Sequence, residues 1–255
     1  MSHLLVRRLE QFGPLPEDEK RALTSLVTRV REIEADQDIV AEGDRPDDCK
    51  VILEGFVYRY KLLPRGRRQI MSLQIPGDVV DLQGFLLGEM DHSLCTLTAT
   101  KVGDIPHDRL LEATERYPRI ARALWQSTLI DSAVFREWMV GIGRRSASQR
   151  IAHLLCEMSV RLRRMGLVND GSFELPVTQA EIGDALGLSN VHVNRSIQTL
   201  RRKQLITFQG GRVAIHDWKG LKAAGEFESR YLHLGRDGNP SRRTMDSEKG
   251  SPEVH

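Results

Sequence analysis

The sequence predicts an α+β chain: an N-terminal antiparallel β-roll of the jelly-roll kind, a long dimerisation helix and a C-terminal winged helix-turn-helix. Three observations predict it. Short apolar runs alternate with Gly- and Pro-containing turns through the first third, Pro118 is the only proline between Asp108 and Gly143, and two helix-start signals flank Gly187. At 255 residues with 40% apolar side chains, the chain is long enough for two cores at ~100 to 200 residues per domain.

The roll is read from its punctuation. Ile39-Val40-Ala41 stops at Glu42-Gly43-Asp44, Val51-Ile52-Leu53 at Glu54-Gly55, Phe56 to Leu63 at Pro64-Arg65-Gly66, and Ile70 to Ile75 at Pro76-Gly77-Asp78. Strands interrupted at such short intervals close into a small antiparallel barrel or roll. Thr96 to Ile105 reads as one further strand, and Leu23, Leu26 and Val27 place a helix within Leu15 to Thr28 on its N-terminal side.

Beyond Pro106 the pattern turns helical. Ile120, Leu124, Val134 and Trp138, with Ser127 and Asp131 in the intervening steps, form an imperfect heptad seam. Such a seam suits a helix that packs on its twin and on its own roll; a plain buried helix is the simpler reading. Gly141-Ile142-Gly143 followed by Arg144-Arg145-Ser146 reads as a hinge over Gly141 to Arg145 and as the domain boundary, since each glycine in a helix costs ~1 kcal/mol relative to Ala. An amphipathic helix follows from Ala147 to about Met165, with Ile151, Leu154, Leu155, Met158 and Leu162 inward and Arg150, Arg161, Arg163 and Arg164 outward. The expected division is a sensor roll over 1–106, a dimerisation helix over 107–143, a DNA-binding domain over 144–224 and a disordered tail over 225–255.

Thr178-Gln179-Ala180-Glu181 is a capping box that opens a helix carrying Ile182 and Leu186. Gly187 supplies a sharp turn, and Ser189 caps a second helix with Val193, Ile197 and Leu200 inward. Left facing out are Asn190, Val191, His192, Asn194, Arg195 and Gln198, the expected base contacts. Arg195 can fork onto guanine and an asparagine onto adenine. Thr178, Gln179, Ser189, Arg201, Arg202 and Arg212 are the expected phosphate contacts. Although 37 basic and 35 acidic residues leave a net charge of only +2, Ser189 to Arg212 holds Arg195, Arg201, Arg202, Lys203 and Arg212 and no acid. Leu205 to Gln209, Gly210-Gly211 and Arg212 to His216 form the wing, and Asp217 opens a closing helix.

Over roughly residues 10 to 222 the chain resembles the superfamily of the cyclic AMP receptor protein and the fumarate and nitrate reduction regulator. The resemblance rests on Glu54-Gly55, Pro76-Gly77-Asp78, Gln149-Arg150-Ile151-Ala152 and Thr178 to Arg202. It implies a cyclic-nucleotide-binding-like roll with its effector pocket at Asp81, Leu82, His92 and Ser93. Members that bind cyclic AMP hold Gly-Glu and Arg-Ser at those places. Leu82 cannot accept from a ribose hydroxyl, a neutral His92 supplies no fixed charge, and Asp81 sets an anion beside the phosphate. Cyclic AMP is therefore not expected to bind tightly. Family members that read the best-known half-sites carry a cytosine-reading glutamate where Val191 stands, which implies a different operator.

Other chemistry is disfavoured. Cys49, Cys95 and Cys156 lack metal-ligand spacing, no cysteine precedes Cys49 to hold an iron–sulfur cluster, and His92 or His107 could ligate a haem iron, although a lone histidine is more often a surface or loop residue. No cofactor or metal is expected. There is no P-loop, nucleophile elbow, H-E-x-x-H or dinucleotide turn, so no enzyme is expected. Neither a signal peptide nor a membrane span is evident, which points to the cytoplasm. The leading expectation is a homodimeric regulator on a palindromic operator, with double-stranded DNA and RNA polymerase as partners and an unidentified effector or none. The rival is a signalling adaptor whose roll binds an effector and whose basic hairpin binds a protein.

Overall fold

Two helices precede the roll: α1 (His3–Glu10) and α2 (Glu17–Leu26). The computed structural model describes residues 3–234. The roll comprises β1 (Arg29–Ile33), β2 (Asp38–Val40), β3 (Asp48–Glu54), β4 (Val57–Leu63), β5 (Arg67–Gln74), the short helix α3 (Leu82–Leu87), β6 (Ser93–Thr96) and β7 (Thr100–Pro106). All strand pairs are antiparallel, in one sheet ordered β1-β7-β3 and another ordered β2-β6-β4-β5.

The strand expected from Thr96 to Ile105 is two strands. β6 lies in one sheet and β7 in the other, so the chain must turn a corner between them. Gly55 faces that corner at φ +89°, and a Cβ on it would stand 2.5 Å from Thr100 Oγ1 and 2.8 Å from the Ala99 carbonyl. Only glycine satisfies both the backbone and the space.

The helical region is also divided. α4 (His107–Arg116) packs against the roll; the chain breaks at Tyr117, and α5 (Pro118–Arg144) starts with proline in its first turn. Ile120, Leu124, Ser127, Val134 and Trp138 are all buried, and Asp131 is half-buried. The imperfect seam is thus the inward face of α5, against its own chain. A second stripe at steps of three and four, Arg122, Trp125, Leu129, Ser132, Arg136 and Met139, lies on the other side, with Trp125 70%, Leu129 64% and Met139 72% exposed.

Within the segment Gly141 to Arg145 the two glycines stay helical. The helix runs through both to Arg144, and the chain turns at Arg145, which is extended. Arg150 caps this end: its guanidinium donates to the carbonyls of Ile142 (2.7 Å), Arg145 (2.9 Å) and Leu186 (2.8 Å). It thereby satisfies orphan acceptors where two helices end. α6 (Ala147–Arg164) begins with a capping box between Ser146 and Gln149. Arg161, expected outside, is buried between Asp78 (3.1 Å) and Glu157 (3.3 Å).

The C-terminal part contains β8 (Ser172–Glu174), α7 (Gln179–Leu186), α8 (Asn190–Arg202), β9 (Ile206–Gln209), β10 (Arg212–Ile215), α9 (Trp218–Ala224) and a 3-10 turn over Ser229–Leu232. Its core is continuous with one side of the roll: Tyr58, Ile70 and Leu73 belong to the same buried cluster as Trp138, Ile151, Leu155 and Ile182. At the boundary Arg68 donates to Asp184 at 3.0 Å and Gln69 to the Ala185 carbonyl at 3.3 Å. The tail expected to be disordered from 225 begins as ordered structure, with Phe227 and Leu232 each 2% exposed. Residues 235–255 of that tail lie outside the described residues.

Candidate nucleic-acid interface

The helix-turn-helix is set by caps and one turn. Thr178 Oγ1 accepts from the Glu181 amide at 3.2 Å while Glu181 Oε2 accepts from the Thr178 amide at 2.7 Å, so the first helix starts at Gln179. Gly187 ends it at φ +64°, left-handed backbone that glycine takes without a Cβ penalty. Ser189 Oγ then accepts from the His192 amide at 3.4 Å and starts α8. Removing one such cap costs ~1 kcal/mol, so the two together fix where both helices begin.

Burial sorts the faces of α8. Val193, Ser196, Ile197 and Leu200 are buried, whereas Asn190, Val191, His192, Asn194, Arg195 and Gln198 are exposed, Val191 at 65%. All six expected base readers therefore share the free side of one helix. Thr178, Gln179, Ser189, Arg201, Arg202 and Arg212 are exposed as well. Asn194 Nδ2 lies 3.5 Å from Gln179 Oε1, which joins a reader on α8 to the start of α7.

Charge follows the same division. Arg31, Arg59, Arg68, Arg145 and Arg161 each hold a carboxylate. Among the described residues, Arg195, Arg201, Arg202, Lys203 and Arg212 hold none and stand in water, so their positive potential is available to a polyanion. The wing turn Gly210-Gly211 has φ +58° and +72°, the mirror-image geometry of a two-residue hairpin. A third strand, β8, was not expected; it sets Glu174 in register beside Arg212.

The expected effector residues are placed differently from the DNA face. Asp81, Leu82, His92 and Ser93 are buried in the roll. Asp81 Oδ1 accepts from the Lys50 amide at 2.6 Å, His92 Nδ1 is 2.5 Å from Asp91 Oδ1, and Ser93 Oγ accepts from the Glu42 amide at 2.9 Å. Sequence reasoning missed Arg59, which is 1% exposed on β4. Two of its nitrogens donate to the Val80 carbonyl (3.1 and 2.8 Å) and the third to Asp131 of α5 at 2.8 Å. The roll thus carries its own cation, tied to the long helix. Asp131, a carboxylate in an apolar seam, was the signal for a buried partner.

Burial pushes Asp81 up to about 7 against the pull of the Lys50 amide and ammonium and the Arg59 guanidinium. Burial, then Arg59, lowers His92, which is held neutral near pH 7. The raised Asp81 value has a consequence for stability. Below pH 4 the group is protonated folded and unfolded; as pH rises from about 4 to about 7 only the unfolded chain ionises freely, and stability is lost until the folded group also ionises. Asp81→Asn should therefore gain on the wild type across that window, by on the order of 4 kcal/mol at pH 8. Urea melts at pH 4.5 and pH 8 measure it; a difference independent of pH would show that Asp81 is ionised throughout.

The geometry of two domains is matched by comparison with known proteins. Residues 30–117 match the cyclic nucleotide-binding domain and residues 149–224 the Crp-like helix-turn-helix domain. The nitrogen fixation regulation protein FixK of Bradyrhizobium diazoefficiens is 31% identical over 182 residues, 70% of this chain and 74% of the relative. The chain belongs to the Crp/Fnr family of transcription regulators. The transcriptional activator FnrL of Cereibacter sphaeroides is 28% identical over 82% of this chain and 86% of its own. The structure of FixK2 from Bradyrhizobium japonicum superposes with a TM-score of 0.69 at 28% identity, covering 77% of this chain and 96% of that one.

The regulator is accordingly a DNA-binding transcription regulator of this family. The adaptor reading is not supported, since these relatives are named as regulators and activators of transcription. Among the described residues no helix is long and apolar enough to cross a membrane. The three cysteines are buried and unpaired, and burial raises each thiol, that of Cys156 to about 12. Such thiols are inert as nucleophiles.

Proposed function

We propose that the regulator acts as a homodimer on a palindromic operator, with Asn190, Val191, His192, Asn194, Arg195 and Gln198 reading base edges. Thr178, Gln179, Ser189, Arg201, Arg202 and Arg212 hold phosphates and set the register of α8 in the major groove. The observation that carries this reading is the sorting of α8, whose apolar positions are buried while every candidate reader is exposed. The outward stripe of α5 is the dimer contact, since Trp125, Leu129 and Met139 recur at coiled-coil steps on an uncovered face. In this scheme the functional units are the roll with α4, the helix α5, and the winged helix from Ser146 onward.

The same reading makes the regulator independent of cyclic AMP. The Arg59 guanidinium is already committed to the Val80 carbonyl and Asp131, and the residues that the family resemblance sets at the nucleotide, Asp81 and His92, are buried and add no cation for a phosphate. We assign it no catalytic role, place it in the cytoplasm and take RNA polymerase as its further partner at promoters.

One selection tests the scheme. Random-sequence duplexes are bound by the protein without nucleotide, and recovered sites are sequenced. Two inverted half-sites about one helical turn (~34 Å) apart are expected. Each should keep a guanine for Arg195 and lack a required cytosine opposite Val191, and added cyclic AMP should leave affinity unchanged. A single unrepeated site, a strict cytosine at that step, or a gain on micromolar cyclic AMP would each count against the corresponding part.

A further inference from the structure

Residues 225–234 follow the matched helix-turn-helix domain, which ends at 224, and they wedge into the junction between α5 and α6. His153 Nδ1 meets the Gly225 carbonyl at 3.1 Å, and Gln149 donates to Glu226 at 2.7 Å. Phe227 stands edge-on to His153, and the Tyr231 ring stacks on the same imidazole at 5.8 Å and 19°. The Tyr231 hydroxyl donates to Glu157 Oε2 at 2.9 Å; Trp138 Nε1, from α5, donates to that same oxygen at 3.0 Å.

Glu157 is fully buried, and its other oxygen accepts from Arg161, which also reaches Asp78 of the roll; Asp78 in turn lies 2.9 Å from Arg8 of α1. A buried chain of polar groups therefore runs from the C-terminal segment through α6 to both the long helix and the roll. Removing one member of such a chain leaves a charge short of partners where water does not reach, so it permits only those orientations that keep every partner. A tilt of α6 away from α5 would part Trp138 from Glu157. Tyr231 secures the same carboxylate oxygen from the C-terminal segment.

We propose that Tyr231, acting through Glu157 and Trp138, is a positioning residue that fixes the angle of the winged helix on α5 and so the half-site spacing the dimer accepts. This rests on the dimeric reading given above. Aromatic packing by Phe227 and Tyr231 seats the segment, and the hydroxyl locks it.

The test uses the full-length protein, Tyr231→Phe, Trp138→Phe and a chain stopped after Gly225. Duplexes carry the selected half-sites at their native separation, at one base pair more or fewer, or singly. One base pair rotates a half-site by roughly a tenth of a turn, and the wild type should lose about tenfold or more in affinity from that change. Tyr231→Phe and Trp138→Phe should remain dimeric and bind the single half-site as the wild type does, while their discrimination between separations falls to about threefold or less. Discrimination equal to the wild type in the Tyr231→Phe and shortened chains overturns the proposal alone. Equal weakening on single and paired half-sites also overturns it, since that is general loss of fold. A wild type indifferent to separation removes the dimeric reading and this proposal together.

Discussion

Arg195→Ala is expected to weaken binding to the selected operator by about 1 to 3 kcal/mol per half-site, roughly 5- to 150-fold. Arg195 is exposed on α8 beside Asn194, and among the described residues it has no carboxylate to satisfy it in the free protein. Its donors are thus uncommitted before DNA arrives. Because the loss falls on a base contact, it should be large on the cognate duplex and small on one whose guanine has been exchanged. Arg201→Ala and Arg212→Ala, on phosphates, should weaken all duplexes alike and reduce the salt slope by about 0.9 per contact. Fluorescence anisotropy across a salt series separates the two behaviours. If Arg195→Ala weakened every sequence equally, Arg195 would be a phosphate contact.

Leu129→Glu carries the other large effect. Leu129 is 64% exposed in the middle of the outward stripe of α5, one turn from Trp125. In a symmetric pair the two copies of this side chain face each other, so the substitution sets two carboxylates together in an apolar seam. Sedimentation should show a monomer at micromolar concentration. Without the second half-site the advantage of tethered binding is lost, and operator affinity should fall by about 10²- to 10⁴-fold. The monomer should keep its thermal stability, because the inward face with Trp138 and Val134 is untouched. A variant that stayed dimeric would move the contact off α5.

The helix-turn-helix was legible in the sequence because its determinants are local. Thr178 and Glu181 are three residues apart, Ser189 and His192 likewise, and Gly187 needs only its own backbone. Strands of the roll were legible where a turn glycine followed an apolar run. β1 was not: Arg29, Arg31 and Glu32 crowd it with charge because it is an edge strand with half its surface in water. The face that α5 turns inward was also hidden. Both stripes repeat at three and four, and the one polar mark of the inward face, Asp131, is explained only by Arg59, far away in the chain. In the C-terminal segment Phe227 and Tyr231 stand four apart, a helical spacing of aromatics that the surrounding polar residues obscured.

Arg59 and Asp131 also bear on how the molecule assembles. A seam of Leu, Ile and Val alone would accept the long helix slid by one turn with little loss of buried area. With a guanidinium fixed at one point of the roll, a helix slid by one turn sets Ser127 or Val134 opposite a buried cation, and uncompensated buried charge of this kind costs about 3 to 5 kcal/mol. The pair acts as a key in a keyway: it adds little to the strength of the contact, and it makes the wrong registers of helix on roll too unfavourable to persist during folding.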